Sequence, residues 1–101
     1  MMAKEPYSKT EARKRALTAL NKGDNLIIFT GYCQKRIRQR NLIDADILNV
    51  LKSSHARVQK EAEWEGNEWR YQIETNKIRV IFKFSGDYLV IINAVRKGAK
   101  K

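Results

Sequence analysis

The hydrophobic period of this chain changes once, and the change limits what it can build. Up to residue 53 the apolar side chains recur at three- and four-residue spacing. From Trp69 onward they alternate with polar ones. The first pattern lays a stripe along a helix, and the second puts one face of a strand against a core. Helices first and a meander of strands afterwards is the order of an α+β fold.

In the helical half, Ser8-Lys9-Thr10-Glu11 reads as a capping box, with the Ser8 hydroxyl set to accept from the Glu11 amide. Ala12, Ala16, Leu17 and Leu20 then form one stripe and Gly23 is a suitable stop, which predicts a helix over 8–22. The apolar run from Asn25 to Thr30 predicts a short strand or an extended connector, with Thr30 capping the helix after it. Residues 31–53 predict a basic helix and then a core helix. The first has only Tyr32, Cys33 and Ile37 as apolar surface. The second, over about 45–53, is capped by Asp44, stapled by Ile43 and Leu48, and faces the core through Ile43, Ile47, Val50 and Leu51.

In the other half, Trp69, Tyr71 and Ile73 alternate with Arg70, Gln72 and Glu74. Ile78, Val80, Phe82 and Phe84 alternate in the same way, and Tyr88 to Val95 is a nearly continuous β-prone run. Short turns at Asn76-Lys77 and Ser85-Gly86-Asp87 make these three strands a hairpin meander. A weaker strand over 56–63 brings the expectation to a three- to four-stranded antiparallel sheet across 56–96. The acidic stretch from Glu61 to Asn67 reads as a loop that keeps the sheet edge from pairing. Residues 97–101 form a basic tail, and 1–101 reads as a single domain.

Charge narrows the function. The chain has 21 Lys and Arg against 11 Asp and Glu, a formal net charge of +10. Residues 31–40 hold four basic and no acidic side chains, and residues 77–101 hold seven basic and one acidic. A surplus of that size repels itself, and a polyanionic partner gives a reason to keep it. The competing reading is a Lys-rich surface that serves solubility alone. Cys33 is the only cysteine, so an internal disulfide and a Cys-based zinc site are excluded. No apolar run reaches the ~18 residues of a membrane helix, and MMAKEPYSKTEARKR has no apolar signal core. The expectation is a cytoplasmic protein with no membrane partner, no metal and no cofactor.

With the apolar side of the meander turned to the helices, the other side collects Arg70, Gln72, Glu74, Arg79 and Lys83, joined by Arg96 and Lys97 at the end of the last strand. Cations about 5 Å apart on neighbouring strands repel unless an anion bridges them. A concave basic face able to hold adjacent phosphates is one reading, and a solvated face with Glu74 as local counterion is the other. Lys35, Arg36, Arg38 and Arg40 supply a second positive surface, either for phosphates or as a solvated helix exterior. His55 falls at a helix end, where a lone histidine is more often a terminal cation than a base. Trp64 could stack a base but stands among Glu61, Glu63, Glu65 and Glu68.

Taken together, IFTGYCQKRIRQRNLIDADILNVLKS followed by EWRYQIETNKIRVIFKFSGDYLVIINAVRK resembles the RelE-like mRNA-interferase toxins, their MqsR-like branch and related small toxin-like domains, over residues 28–97. The resemblance implies a compact sheet packed by N-terminal helices. It implies an endoribonuclease that needs no metal, in which a ribose 2′-hydroxyl attacks the adjacent phosphate of mRNA, some of it ribosome-bound. It also implies neutralisation by an antitoxin, acidic in character, covering the basic face. By position, Arg79 and Arg96 would stabilise the phosphate, with Arg70 or Tyr71 flanking it. Lys35, Arg36 and Arg40 would match the family's basic helix residues, and Lys83 and Lys97 would extend the RNA-binding face. The chain departs from the pattern where Tyr32-Cys33 stands for the family's early His and where Asn49 stands for a lysine. That leaves the general base unassigned. Two other readings stand beside the toxin: a non-catalytic RNA- or DNA-binding module using the same face, and a structural interaction protein whose charge is incidental.

Overall fold

The computed structural model describes residues 5–58 and 60–97, with the exception of the Asp24 side chain. Among the described residues three α-helices and five strands form an α+β architecture: α1 (Lys9–Lys22), β1 (Ile27–Phe29), α2 (Gly31–Gln39), α3 (Asp44–Lys52), β2 (Glu63–Glu65), β3 (Glu68–Glu74), β4 (Ile78–Ser85) and β5 (Tyr88–Arg96). The basic tail at 97–101 lies outside the described residues beyond Lys97.

The sheet is mixed and has five strands in the order β1-β5-β4-β3-β2, not three or four antiparallel ones. Two segments account for the difference. Ile27–Phe29 pairs parallel to β5, with Ile27 opposite Leu89 and Phe29 opposite Ile91. The acidic stretch supplies β2, antiparallel to β3, with Trp64 opposite Trp69. Its turn is Gly66-Asn67, both in the left-handed region at φ 62° and 63°. Paired positive φ values give a two-residue hairpin loop the twist of its strands. The stretch expected to block the sheet edge is therefore part of the sheet. Among the described residues of 56–63 only the two ends pair: Arg57 in an isolated bridge to Glu74, and Glu63 with Arg70 as the first residue of β2.

The meander itself is as the alternation predicts. Tyr71 faces Phe82 and Ile73 faces Val80 on the inner side, while Gln72 faces Ile81 and Glu74 faces Arg79 on the outer side. One extra residue enters β5 at Ile92, because Ile81 pairs with Asn93 but Phe82 pairs with Ile91. Such a bulge bends the strand and redirects side chains beside it. Ala12, Ala16, Ile47, Leu51, Val80, Phe82, Leu89 and Ile91 are all buried in one core between the helices and the inner face. Fully burying one aliphatic or aromatic side chain contributes ~1.5–3 kcal/mol.

Local capping explains the helix starts. The Ser8 Oγ accepts from the Glu11 amide at 3.1 Å, while the Glu11 carboxylate turns to Arg15 at 2.7 Å instead of closing the box. The Thr30 hydroxyl caps α2 by accepting from the Cys33 amide at 3.0 Å. For α3 the cap position is Ile43, one residue before the expected Asp44, and the Asp46 carboxylate accepts from the Ile43 amide at 2.9 Å. That shift puts Leu42 and Ile47 at the staple positions, both buried, and leaves Ile43 64% exposed. The predicted Ile43–Leu48 staple is replaced for this reason.

Candidate active site

The outer face of the sheet is the open one, and it holds a cleft of about 600 Å³ between β2, the strands β3 to β5 and the start of α2. Its floor carries Arg70 and Gln72 from β3 with Ile81 and Lys83 from β4. Asn93 enters from the bulged part of β5, Thr30 and Tyr32 close one side, and Glu63 and Glu65 close the other. Alternation explains the floor: each of these β3 and β4 residues is one step from an inner-face core residue. The bulge at Ile92 explains how Asn93 comes to line the outer face beside Ile81.

The cleft is not a bare cationic surface. Glu68 lies between two cations, accepting from Lys83 Nζ at 2.7 Å and from Arg70 Nε at 3.0 Å. Arg70 also approaches Glu65 at 3.6 Å. The hydrogen bond from Lys83, reinforced by Arg70, holds the Glu68 carboxyl below the usual carboxylate range despite some opposing burial. The acidic hairpin is thus the counterion of the cleft. Among the described residues two cations and three glutamates line it, so a phosphate entering there competes with carboxylates for Arg70 and Lys83.

The remaining residues expected at the site divide into three groups. Arg79 is on the same outer face but pairs with Glu74 at 2.9 Å, and Lys97 donates to the same carboxylate. Glu74 is held below its ordinary pKa, first by the Lys97 bond and then by Arg79, against a desolvation that raises it. Arg40 and Arg96 brace the end of α2 against the last strand. Arg40 Nη1 donates to the Asn93 side chain at 3.0 Å and to the Ala94 carbonyl at 2.6 Å. Arg96 donates to the carbonyls of Arg40 at 3.0 Å and Asn41 at 2.9 Å. Tyr71 is a core residue, 1% exposed, so it cannot flank a phosphate. Its hydroxyl donates to Glu5 and accepts from the Tyr7 amide, and burial raises its pKa.

On α2 the inward positions are Cys33 and Ile37, which leaves Lys35 and Arg38 exposed and without an ion pair among the described residues. The Arg36 guanidinium sits over the Tyr32 ring, 5.4 Å from its centroid, and Tyr32 is itself 55% exposed at the cleft edge. Cys33 is buried, and burial with the Asp44 charge pushes its thiol up to about 11, Arg40 opposing. It is no nucleophile. Glu68, Tyr32 and Asn93 belong to the site, and sequence reasoning missed them. The signal for Glu68 was its place two residues before Arg70 on the same strand face. Among the described residues no group of three or more His, Cys, Asp or Glu is placed to hold a metal ion, and no helix is long and apolar enough to cross a membrane. No protein-family model, curated protein or solved structure matches the chain.

Proposed function

We propose that this chain is a RelE-like endoribonuclease of the toxin type, and that it cleaves RNA in the cleft around Glu68, Arg70 and Lys83. The observation that carries this reading is the carboxylate held between two cations on the floor of an open cleft. Attack by a ribose 2′-hydroxyl requires a base, cations for the phosphorane and an acid for the departing 5′-oxygen. Glu68 keeps Arg70 and Lys83 extended before substrate arrives. When the phosphate takes over both cations, Glu68 loses what depresses its pKa and becomes a stronger base. It then removes the 2′-hydroxyl proton as the O2′–P bond forms. The Lys83 ammonium hands a proton to the 5′-oxygen as the P–O5′ bond breaks, leaving a 2′,3′-cyclic phosphate. Tyr32, with Arg36 over its ring, offers a stacking platform for an adjacent base. Lys35 and Arg38 track the backbone, on a face that an acidic antitoxin would cover.

The test is incubation of the purified chain with labelled single-stranded RNA in a chelating buffer. Wild type should yield 2′,3′-cyclic phosphate ends, and Glu68→Gln should lower the rate by ~100-fold or more while retaining RNA. Induced expression should arrest growth for wild type and not for Glu68→Gln. RNA bound but left intact by the folded wild type would overturn the catalytic reading.

A non-catalytic RNA-binding module is the second reading. The internal engagement of Arg79, Arg96 and Tyr71 favours it, because of the four side chains expected to do the chemistry only Arg70 lines the cleft and the other three are held elsewhere.

A further inference from the structure

A second cleft, of about 660 Å³, opens beyond the other end of β3 where the chain leaves α3 and where β3 turns into β4. It is lined by Ser53, His55, Arg57, Glu74, Lys77 and Lys97 among others. Unlike the first, it carries an excess of cations among the described residues: three Lys or Arg against one carboxylate, and that carboxylate is shared with Arg79. Arg57, Lys77 and His55 are exposed, and none has an ion pair among the described residues. Like charges gathered around one rim repel unless an anion joins them.

The walls are fixed by backbone contacts. Arg57 and Glu74 exchange amide–carbonyl bonds at 2.8 and 2.9 Å, and the Lys97 amide donates to the Lys77 carbonyl at 2.7 Å. The Lys97 ammonium is held by Glu74 and by the Thr75 carbonyl at 3.1 Å. Arg13 from α1 braces the α3 exit by donating to the carbonyls of Ser53 and Ala56. The backbone of the rim and the Lys97 ammonium are already in place, so an anion there has only the Arg57 and Lys77 side chains left to order.

We infer that this cleft binds a phosphoryl group of RNA, separately from the cleft around Glu68. The inference rests on the chain being an RNA-binding protein, though not on cleavage. The two clefts lie at opposite ends of β3, and the outer-face residues Arg70 and Glu74 of that strand line one each. Arg70 and Glu74 are four residues apart on β3, which is roughly 13 Å, a span of a few nucleotides of single-stranded RNA. An RNA strand laid along β3 from Arg70 and Lys83 therefore brings another phosphate to Arg57, Lys77 and Lys97. The phosphate is either internal to a longer strand or the terminal one of a short strand.

The experiment uses a 2′-O-methyl oligonucleotide, which has no attacking hydroxyl, titrated into the full chain at several salt concentrations. It is supplied unphosphorylated, 5′-phosphorylated and 3′-phosphorylated. Arg57→Ala/Lys77→Ala should weaken binding ~10-fold or more. It should also flatten the dependence of log K on log salt by roughly 0.7 per lost phosphate contact. Equal weakening for all three oligonucleotides assigns an internal phosphate, and weakening confined to one phosphorylated form assigns that terminus. Both substituted side chains are exposed, so the thermal midpoint should not move. Wild-type affinity and salt slope in a folded double variant would overturn the inference. Because the probe cannot be cut, that result would leave the Glu68 chemistry untouched, and a wild type that binds but never cuts would leave this second cleft untouched.

Discussion

Arg40 at the end of α2 donates to the side chain of Asn93 at 3.0 Å, just past the bulge in β5. The same guanidinium nitrogen reaches the Ala94 carbonyl at 2.6 Å. This residue is a brace between helix and sheet, and the cleft depends on it because Asn93 is one of its walls. Arg40→Ala should lower stability by ~1.5–3 kcal/mol, the range for hydrogen bonds to a charged group. Urea unfolding followed by circular dichroism measures this. Arg40→Lys should recover only part of the loss, since an ammonium lacks the planar fork.

Tyr71→Phe removes a hydroxyl that donates to Glu5 at 2.9 Å and accepts from the Tyr7 amide at 3.0 Å. The ring stays between Phe82 and Phe84, with centroids at 5.6 and 5.3 Å. A loss of ~0.5–1.5 kcal/mol per hydrogen bond is expected, with RNA affinity unchanged. A large drop in RNA binding without a drop in stability would return Tyr71 to the site.

Glu74 makes part of the stability of the fold depend on pH. Its folded pKa is depressed by Lys97 and Arg79, so it binds a proton less readily folded than unfolded. The stability it contributes is therefore fully present above the unfolded carboxyl value and is lost as pH falls through the folded one. Thermal midpoints measured from pH 7 down to pH 3 should fall less steeply for Glu74→Gln than for wild type, with the variant already less stable at pH 7.

Cys33 should resist modification in the folded chain. Its side chain is fully buried and its thiol is raised to about 11, so little thiolate exists at pH 8. Iodoacetamide should label it at the rate of unfolding and reach it quickly in denaturant. Cys33→Ala should fold with modest loss, because the residue serves as a small apolar group.

Much of the fold is legible in the sequence. Ser8, Thr30 and the alternation from Trp69 to Phe84 specify their own elements, because caps and periods are local. The parallel pairing of Ile27–Phe29 is not, since three apolar residues do not say which strand they join. The β2 hairpin could have been read from Gly66-Asn67 between two Glu-Trp pairs, but its run of glutamates argued for a loop. The same run hid the character of the cleft. Charge summed by segment makes the sheet face look cationic, whereas folding brings Glu65 and Glu68 onto Arg70 and Lys83 and Glu74 onto Arg79 and Lys97. Sequence locates charges, but only the register of β2, β3 and β4 pairs them.

The parallel register of β1 with β5 has a consequence for synthesis. Ile27 meets Leu89 only after the strand beginning at Tyr88 has left the ribosome. Until then β1 has no partner, and α2 lacks the surface it is braced upon. A nascent chain therefore stays unfinished until β5 emerges, and a product truncated before that strand would lack the Asn93 wall of the cleft. If the finished protein destroys messages, that delay would spare the transcript being read.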